Sequence, residues 1–288
     1  MEKIQWPEEK PFAVFLSHDV DRVRKTYQFL PYFLIERRLY HLKSLFEKPN
    51  PYWCFEKIME LEKKYDVRST FFFLKETKKL KISHPSSYIL SLGHYDFQEP
   101  AVREIIRRLD SEGWEVGLHG SYDSYTNKEL LVKEKKELEC ALGKQVIGIR
   151  QHFLNLEMPK TWEIQKEIGF LYDATFGYKK DIGFLDDRYL PFRPFNDSFF
   201  IFPLVVMDGT LFSKYHDDAT RWEKVQEVIT LAEENHGVIS FLWHQRVFNE
   251  NEFPGWASLY EKIIKECKGK NAWFTTGKGL YDWVIKKH

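Results

Sequence analysis

Short apolar runs rich in β-branched and aromatic side chains recur along the chain: FAVFLS from Phe12, STFFFL from Ser69, WEVGL from Trp114, VIGI from Val146, FFIF from Phe199, VISFLW from Val238 and AWFTT from Ala272. Runs of this length without polar alternation predict strands buried on both faces. Between them the spacing changes to that of helices. Pro100 opens a segment whose Val102, Ile105, Ile106 and Leu109 share one face, and Gly113 closes it. Thr126 with Glu129 three residues on predicts a capping box for a helix carrying Leu130, Leu131, Leu138 and Leu142. Pro159 and Gly169 bracket a third helix; Trp222, Val225, Val228, Ile229 and Ala232 form the stripe of a fourth, which stops at Gly237. Strand and helix alternate, with no GxGxxG turn, P-loop or GxSxG elbow. The pattern therefore predicts an α/β fold, a closed (β/α) barrel, rather than a dinucleotide-binding sheet or an α/β-hydrolase.

The 288 residues suit a barrel running as a single domain over 1–288. Two stretches exceed a minimal barrel, Tyr27 to Pro51, aromatic and basic, and Lys75 to Gln98, polar with Pro85 and Gly93. Both are expected as insertions over one mouth of the barrel, where loops collect function. The first, with Tyr27, Phe29, Tyr32, Phe33, Arg37, Arg38, Tyr40 and His41, suits stacking on sugar, contact with a membrane face, or a helix packed on the barrel.

Charge removes one class of partner. Lys plus Arg number 43 and Asp plus Glu 43, so no basic excess exists to neutralise a nucleic-acid backbone. Cys54, Cys140 and Cys267 have neither disulfide nor zinc-ribbon spacing and are expected as reduced packing residues. The start, MEKIQWPEEKPF, has no signal-peptide core and no stretch is long enough for a transmembrane segment, so the expected location is cytoplasmic.

The candidate chemistry lies in register with the strands. FAVFLS runs into His18, Asp19 and Asp21, WEVGL into His119, VIGI into Arg150 and His152, and VISFLW into His244. In a barrel those C-terminal ends converge on the face that carries active sites. Asp19 and Asp21, two apart, point the same way if the strand continues, and two crowded carboxylates call for a cation, one as ligand and one as base. SHDVDR also reads as a helix-capping turn. His119 is followed four residues later by Asp123; with Asp21 they offer an open tripod for a divalent ion and a water, although GSYDS reads equally as a turn. His244, beside Trp243 as an aromatic wall, suits protonation of a leaving amine or stabilisation of charge on a carbonyl; it also suits a core histidine bonded to a backbone carbonyl. Arg150 is placed to hold the base carboxylate ionised.

The order of these motifs resembles the polysaccharide deacetylase family, also described as the NodB-homology domain or carbohydrate esterase family 4. Ser17-His18-Asp19-Val20-Asp21 is similar to that family's first motif, in a spaced Asp-x-Asp version. His119-Gly120-Ser121-Tyr122-Asp123 is similar to the second, His-Ser/Thr-x-x-His, and Arg150-Gln151-His152-Phe153 to the third, Arg-x-Pro-Tyr. Tyr172-Asp173-Ala174-Thr175-Phe176 resembles the segment lining the acetyl pocket, and Leu242-Trp243-His244 the fifth motif with one residue fewer.

The resemblance implies a distorted (β/α) barrel of seven or eight strands. It implies Asp19 as catalytic base, Arg150 positioning it, His244 as catalytic acid, and Asp21, His119 and Asp123 as metal ligands. His152, Asp173 and Trp243 would bind substrate, and the cofactor would be a divalent metal ion, with zinc expected. Asp123 stands where the family has a second metal histidine, and His152, replacing a proline, is a possible substitute ligand. The function implied is a metal-dependent hydrolase that deacetylates an N-acetylated saccharide of surface-glycan synthesis, lipid-linked or nucleotide-linked. The alternatives are a non-catalytic carbohydrate-binding barrel, or a metal-independent hydrolase of another C–N bond.

Overall fold

The computed structural model describes residues 5–76 and 92–287. Most of the Lys75 to Gln98 insertion, residues 77–91, lies outside the described residues. Nine strands form one sheet: β1 (Ala13–Val20), β2 (Thr70–Leu74), β3 (Glu115–Gly120), β4 (Gly148–Gln151), β5 (Tyr172–Asp173), β6 (Phe200–Ile201), β7 (Val206–Met207), β8 (Val238–Leu242) and β9 (Trp273–Thr275). Their order is β6-β5-β4-β3-β2-β1-β8-β7, with β9 paired to the start of β1, and every pairing is parallel. Among the described residues β6 and β7, consecutive in the chain, do not pair with each other, so the barrel is split at that seam. The closed barrel that the alternation predicted is thus open at one seam, and the architecture is the distorted (β/α) barrel that the family resemblance implied.

Alternation along the strands sorts the side chains into two cores. Val14, Leu16, Phe71, Phe73, Val116, Leu118, Ile239 and Phe241 pack outward against the helices. Ala13, Phe15, Phe72, Tyr172, Phe200 and Phe202 fill the interior, where the Tyr172 and Phe202 rings stack at 4.6 Å. Two glycines make room for these rings. A Cβ on Gly117 would lie 2.5 Å from the Phe72 ring, and one on Gly148 would overlap the Tyr172 ring. Leu280, Tyr281 and Val284 of the helix Gly277–Val284 join the interior core beside β9. They close the N-terminal end and leave the C-terminal end to polar groups.

The helices follow their sequence patterns with one shift. Val102, Ile105, Ile106 and Leu109 are buried in the helix Pro100–Ser111, and Val225, Val228, Ile229 and Ala232 in Asp218–Glu234. The helix Lys128–Leu142 is capped by Asn127, whose side chain accepts from Leu130 N at 3.0 Å, and not by Thr126, which ends a preceding 3-10 turn. β5 and β7 escape the pattern reading because two residues are too few to show a period. All three cysteines are free. No helix among the described residues is long and apolar enough to cross a membrane.

Candidate active site

At the C-terminal end of β1, Ser17 and Asp19 point into the barrel. His18 points outward and leaves the site. Its ring is fully buried, with Nδ1 2.7 Å from the Trp243 carbonyl and Nε2 2.9 Å from Glu62. Glu62 also accepts from Tyr260 Oη at 2.7 Å and Trp114 Nε1 at 2.6 Å, so His18 belongs to a satisfied polar knot under the helices.

Asp19 is buried and ion-paired: Arg150 NH1 donates to its Oδ1 at 2.8 Å and to Ser17 Oγ at 2.9 Å. Arg150 is itself held by the Ala174 carbonyl at 2.9 Å and lies over the Phe72 ring at 4.6 Å. Burial alone would raise the Asp19 pKa; His119, Arg150 and His244 outweigh it and hold the carboxyl below its usual value. The other oxygen, Oδ2, is 3.5 Å from His119 Nε2.

His119, at the end of β3, donates Nδ1–H to the Arg150 carbonyl at 2.9 Å, which turns Nε2 toward the two carboxylates. Asp21 Oδ1 lies 3.5 Å from His119 Nε2 and 3.8 Å from His152 Nε2. Donor atoms of Asp21, His119 and His152 all fall within 4.8 Å of one another. Among the described residues Asp21 Oδ1 and His152 Nδ1 are buried without a hydrogen-bond partner, and the nearest carboxylate to His152 Nδ1 is that of Glu76, at 3.6 Å. Burial would raise the Asp21 pKa, but His244, His119, His152 and Arg246 hold it well below the usual carboxylate range.

An orphaned carboxylate oxygen facing two imidazoles fits a divalent cation. Asp123 is outside this group: it is exposed at the start of the 3-10 turn Ser124–Thr126. The chain after β3 turns instead of forming the helix that would have brought Asp123 beside His119. His152 occupies the first position of another 3-10 turn, whose Phe153 and Leu154 have left-handed φ of 56° and 50°. That strained corner directs the imidazole into the cleft.

Across the cleft, His244 Nδ1 is 2.7 Å from Asp208 Oδ1, and the backbone N–H of His244 donates to Asp208 Oδ2 at 2.7 Å. His244 Nε2 faces Asp21 Oδ2 at 3.6 Å. Burial would lower the His244 pKa; Asp208 and Asp21 outweigh it and push it up to about 9. Asp208 follows β7, one of the strands that the pattern did not show. Arg246, also unforeseen, donates to Asp21 Oδ2 at 2.8 Å. Its only sequence signal was its position two residues beyond His244.

Two residues expected to touch substrate lie elsewhere. Asp173 is fully buried, accepting from Gln165 at 2.9 Å and from Thr175 Oγ1 at 2.6 Å, and burial raises its pKa to about 6. Trp243 points outward, its Nε1 donating to the Trp256 carbonyl at 3.0 Å, because it alternates with Leu242, which faces the cleft.

The cleft holds about 570 Å³ and takes in Asp19, Asp21, His119, His152, His244 and Arg246. Tyr122 and Phe153 stand at its wall with ring centroids 5.5 Å apart, and Phe153 is half exposed. A smaller cavity of about 170 Å³ shares Asp21, His152 and Arg246 with it and is lined on its far side by Tyr27, Gln28 and Tyr32.

No protein-family model matches the chain, and no curated protein matches it by sequence. Its fold is matched among solved structures. A protein named as a polysaccharide deacetylase from Mycobacterium smegmatis superposes with a TM-score of 0.67 at 18% identity, covering 100% of this chain and 94% of the other. One so named from Pseudomonas aeruginosa PAO1 gives 0.68 at 15% identity, covering 100% and 95%. Puue allantoinase gives 0.67 at 16% identity, covering 100% and 95%. The chain has the fold of the polysaccharide deacetylases, as the motif resemblance implied.

Proposed function

We propose that the chain is a hydrolase that removes the acetyl group from an N-acetylated saccharide. One observation carries the reading: Asp21, His119 and His152 converge with an orphaned carboxylate oxygen, between the Asp19–Arg150 pair and the Asp208–His244 pair. Asp21, His119 and His152 would hold a divalent cation. Two imidazoles and one carboxylate favour zinc, which when bound polarises the acyl carbonyl and acidifies the attacking water.

Asp19, kept ionised by Arg150, accepts the water's proton at Oδ2, the oxygen that Arg150 leaves free. The water oxygen adds to the acyl carbon first, and the C–N bond breaks afterwards. His244 delivers its Nε2 proton to the departing nitrogen while Asp208 retains the Nδ1–H. The products are acetate and a free amine. Phe153 and Tyr122 offer faces for the sugar ring of a saccharide intermediate of surface-glycan synthesis.

A second reading has its own observation. The Arg246 guanidinium already neutralises Asp21 Oδ2 at 2.8 Å, and one solved neighbour of the same fold is named as an allantoinase. That combination suits a cation-free hydrolase of another C–N bond. Metal content and acetate release from N-acetylated saccharides, measured on one sample before chelation, after it and after metal return, separate the two. The deacetylase reading expects acetate release that follows the metal; turnover indifferent to chelation transfers the assignment to the cation-free enzyme.

A further inference from the structure

Of the twelve large apolar side chains exposed among the described residues, seven fall between Leu30 and Phe46. They belong to the helix Phe29–Glu36, the short helix Tyr40–Lys43 with Leu39 at its start, and the turn after it. Leu30, Leu34, Ile35, Leu39, Leu45 and Phe46 face outward, with Ile35 76% and Phe46 81% exposed. The inner side mixes polar groups with aromatic rings, those of Phe29, Tyr32 and Tyr40 standing 5.7, 5.7 and 5.3 Å from Lys25 Nζ. Gln28, His41 and Ser44 are buried, and Lys25 Nζ beneath them is bonded to Glu252 at 2.6 Å and to His41 Nδ1 at 2.9 Å. The helix Phe29–Glu36 is apolar nearly all round, as buried or membrane-seated helices are, yet its Leu30, Leu34 and Ile35 face solvent.

Charge decides what covers it. Arg37, Lys43 and Lys48 are exposed and have no ion-pair partner among the described residues. Of the acids nearby, Glu36 is paired with Arg38 and bonded to His41 at 2.8 Å, and Glu47 accepts from the neutral Tyr40 Oη at 3.3 Å, which leaves Arg37, Lys43 and Lys48 against the one charge of Glu47. A second copy docking face to face would set cation against cation. An apolar face rimmed by free Lys and Arg suits the interface of an anionic bilayer, with the leucines among the acyl chains.

We propose that the Phe29–Phe46 segment seats the protein on an anionic membrane surface. Tyr27, Gln28 and Tyr32, next to and within the segment, line the small cavity that shares Asp21, His152 and Arg246 with the cleft. Seating therefore brings the site to the level of the lipid headgroups, where a saccharide held by an apolar anchor presents its sugar. That consequence for the substrate rests on the deacetylase reading; the membrane contact does not.

The test is cosedimentation with vesicles of phosphatidylcholine, with and without phosphatidylglycerol. The intact chain is expected to pellet with the anionic vesicles, less so as salt is raised, and to stay in solution with the neutral ones. Arg37→Gln and Lys43→Gln are each expected to weaken binding about fivefold. The double variant Ile35→Ser/Phe46→Ser is expected to abolish it, with unchanged circular dichroism and unchanged acetate release from a short soluble saccharide. Equal partitioning to both vesicle types, or anionic binding that survives the double variant, overturns the proposal. So does a concentration-dependent dimer that the double variant dissolves, which assigns the face to a second copy. Vesicle binding is read without turnover, so its failure leaves the catalytic reading standing, and the reverse.

Discussion

Asp208→Asn isolates what the carboxylate behind His244 does. The replacement keeps the shape but removes the charge and one of the two oxygens that accept from His244 Nδ1 and from its backbone N–H, each at 2.7 Å. The His244 pKa stands at about 9 against an ordinary 6.5, a net gain of about 3 kcal/mol for the protonated ring. Burial and Arg246 work against that gain, so the upward contributions exceed it. Asp208 supplies the largest of them and a hydrogen bond as well. Losing it should lower the His244 pKa, by on the order of tenfold in the protonation constant.

A general acid must be protonated, so the alkaline limb of the kcat/KM profile is expected to move toward neutral pH in Asp208→Asn. The titration of His244, followed by NMR in the metal-free protein, should move the same way. The charge pair also stabilises the fold with a definite sign. The folded pKa is raised, so the contribution is complete below about pH 6.5 and is lost as the pH rises through about 9. An unchanged His244 titration together with an unchanged alkaline limb would refute the assignment of Asp208 as the residue that charges and orients the acid.

The remaining expectations concern other parts of the site and its support. His152→Ala should lower metal content by elemental analysis, whereas Asp123→Ala should leave it intact; the opposite result would restore Asp123 to the ligand set. Asp19→Asn should abolish acetate release while retaining metal, and turnover preserved in that variant removes Asp19 from the role of base. Asp19 and Asp21 both have folded pKa values below 3.8, so their stabilisation is present above about that pH and drains away as the pH falls beneath it, which acid titration of the fold in Asp19→Asn should show as a flattened slope. Lys25→Met leaves Glu252 buried without its cation and should destabilise the packing under the Phe29–Phe46 segment by about 3–5 kcal/mol, read as new protease cleavage between residues 27 and 51; a cleavage pattern identical to that of the intact chain would count against the Lys25–Glu252 anchor.

Local composition was enough to show the barrel and the placement of its chemistry. Parallel strands buried on both faces must be written as apolar runs, and β1, β2, β3 and β8 were visible as such. Because the ends of those strands meet on one face, Asp19, Asp21, His119, Arg150, His152 and His244 could be grouped from sequence alone. Strands two residues long have no period, and with β7 went Asp208, the partner of His244. The pairing of Arg246 with Asp21 was likewise invisible, since it depends on a turn after β8 and on β1 lying next to it.

Which face each side chain takes was decided only by the tertiary structure. A strand turns successive residues to opposite sides, so His18 and Trp243, neighbours in sequence of the site residues Asp19 and His244, face the helices instead. A left-handed corner at Phe153 and Leu154 carried His152 beside Asp21 and His119, and the turn after His119 left Asp123 in solvent. The residue types and their order along the chain determined the kind of chemistry available. Backbone geometry at the loop corners, set by packing between segments far apart in sequence, decided which of those residues meet.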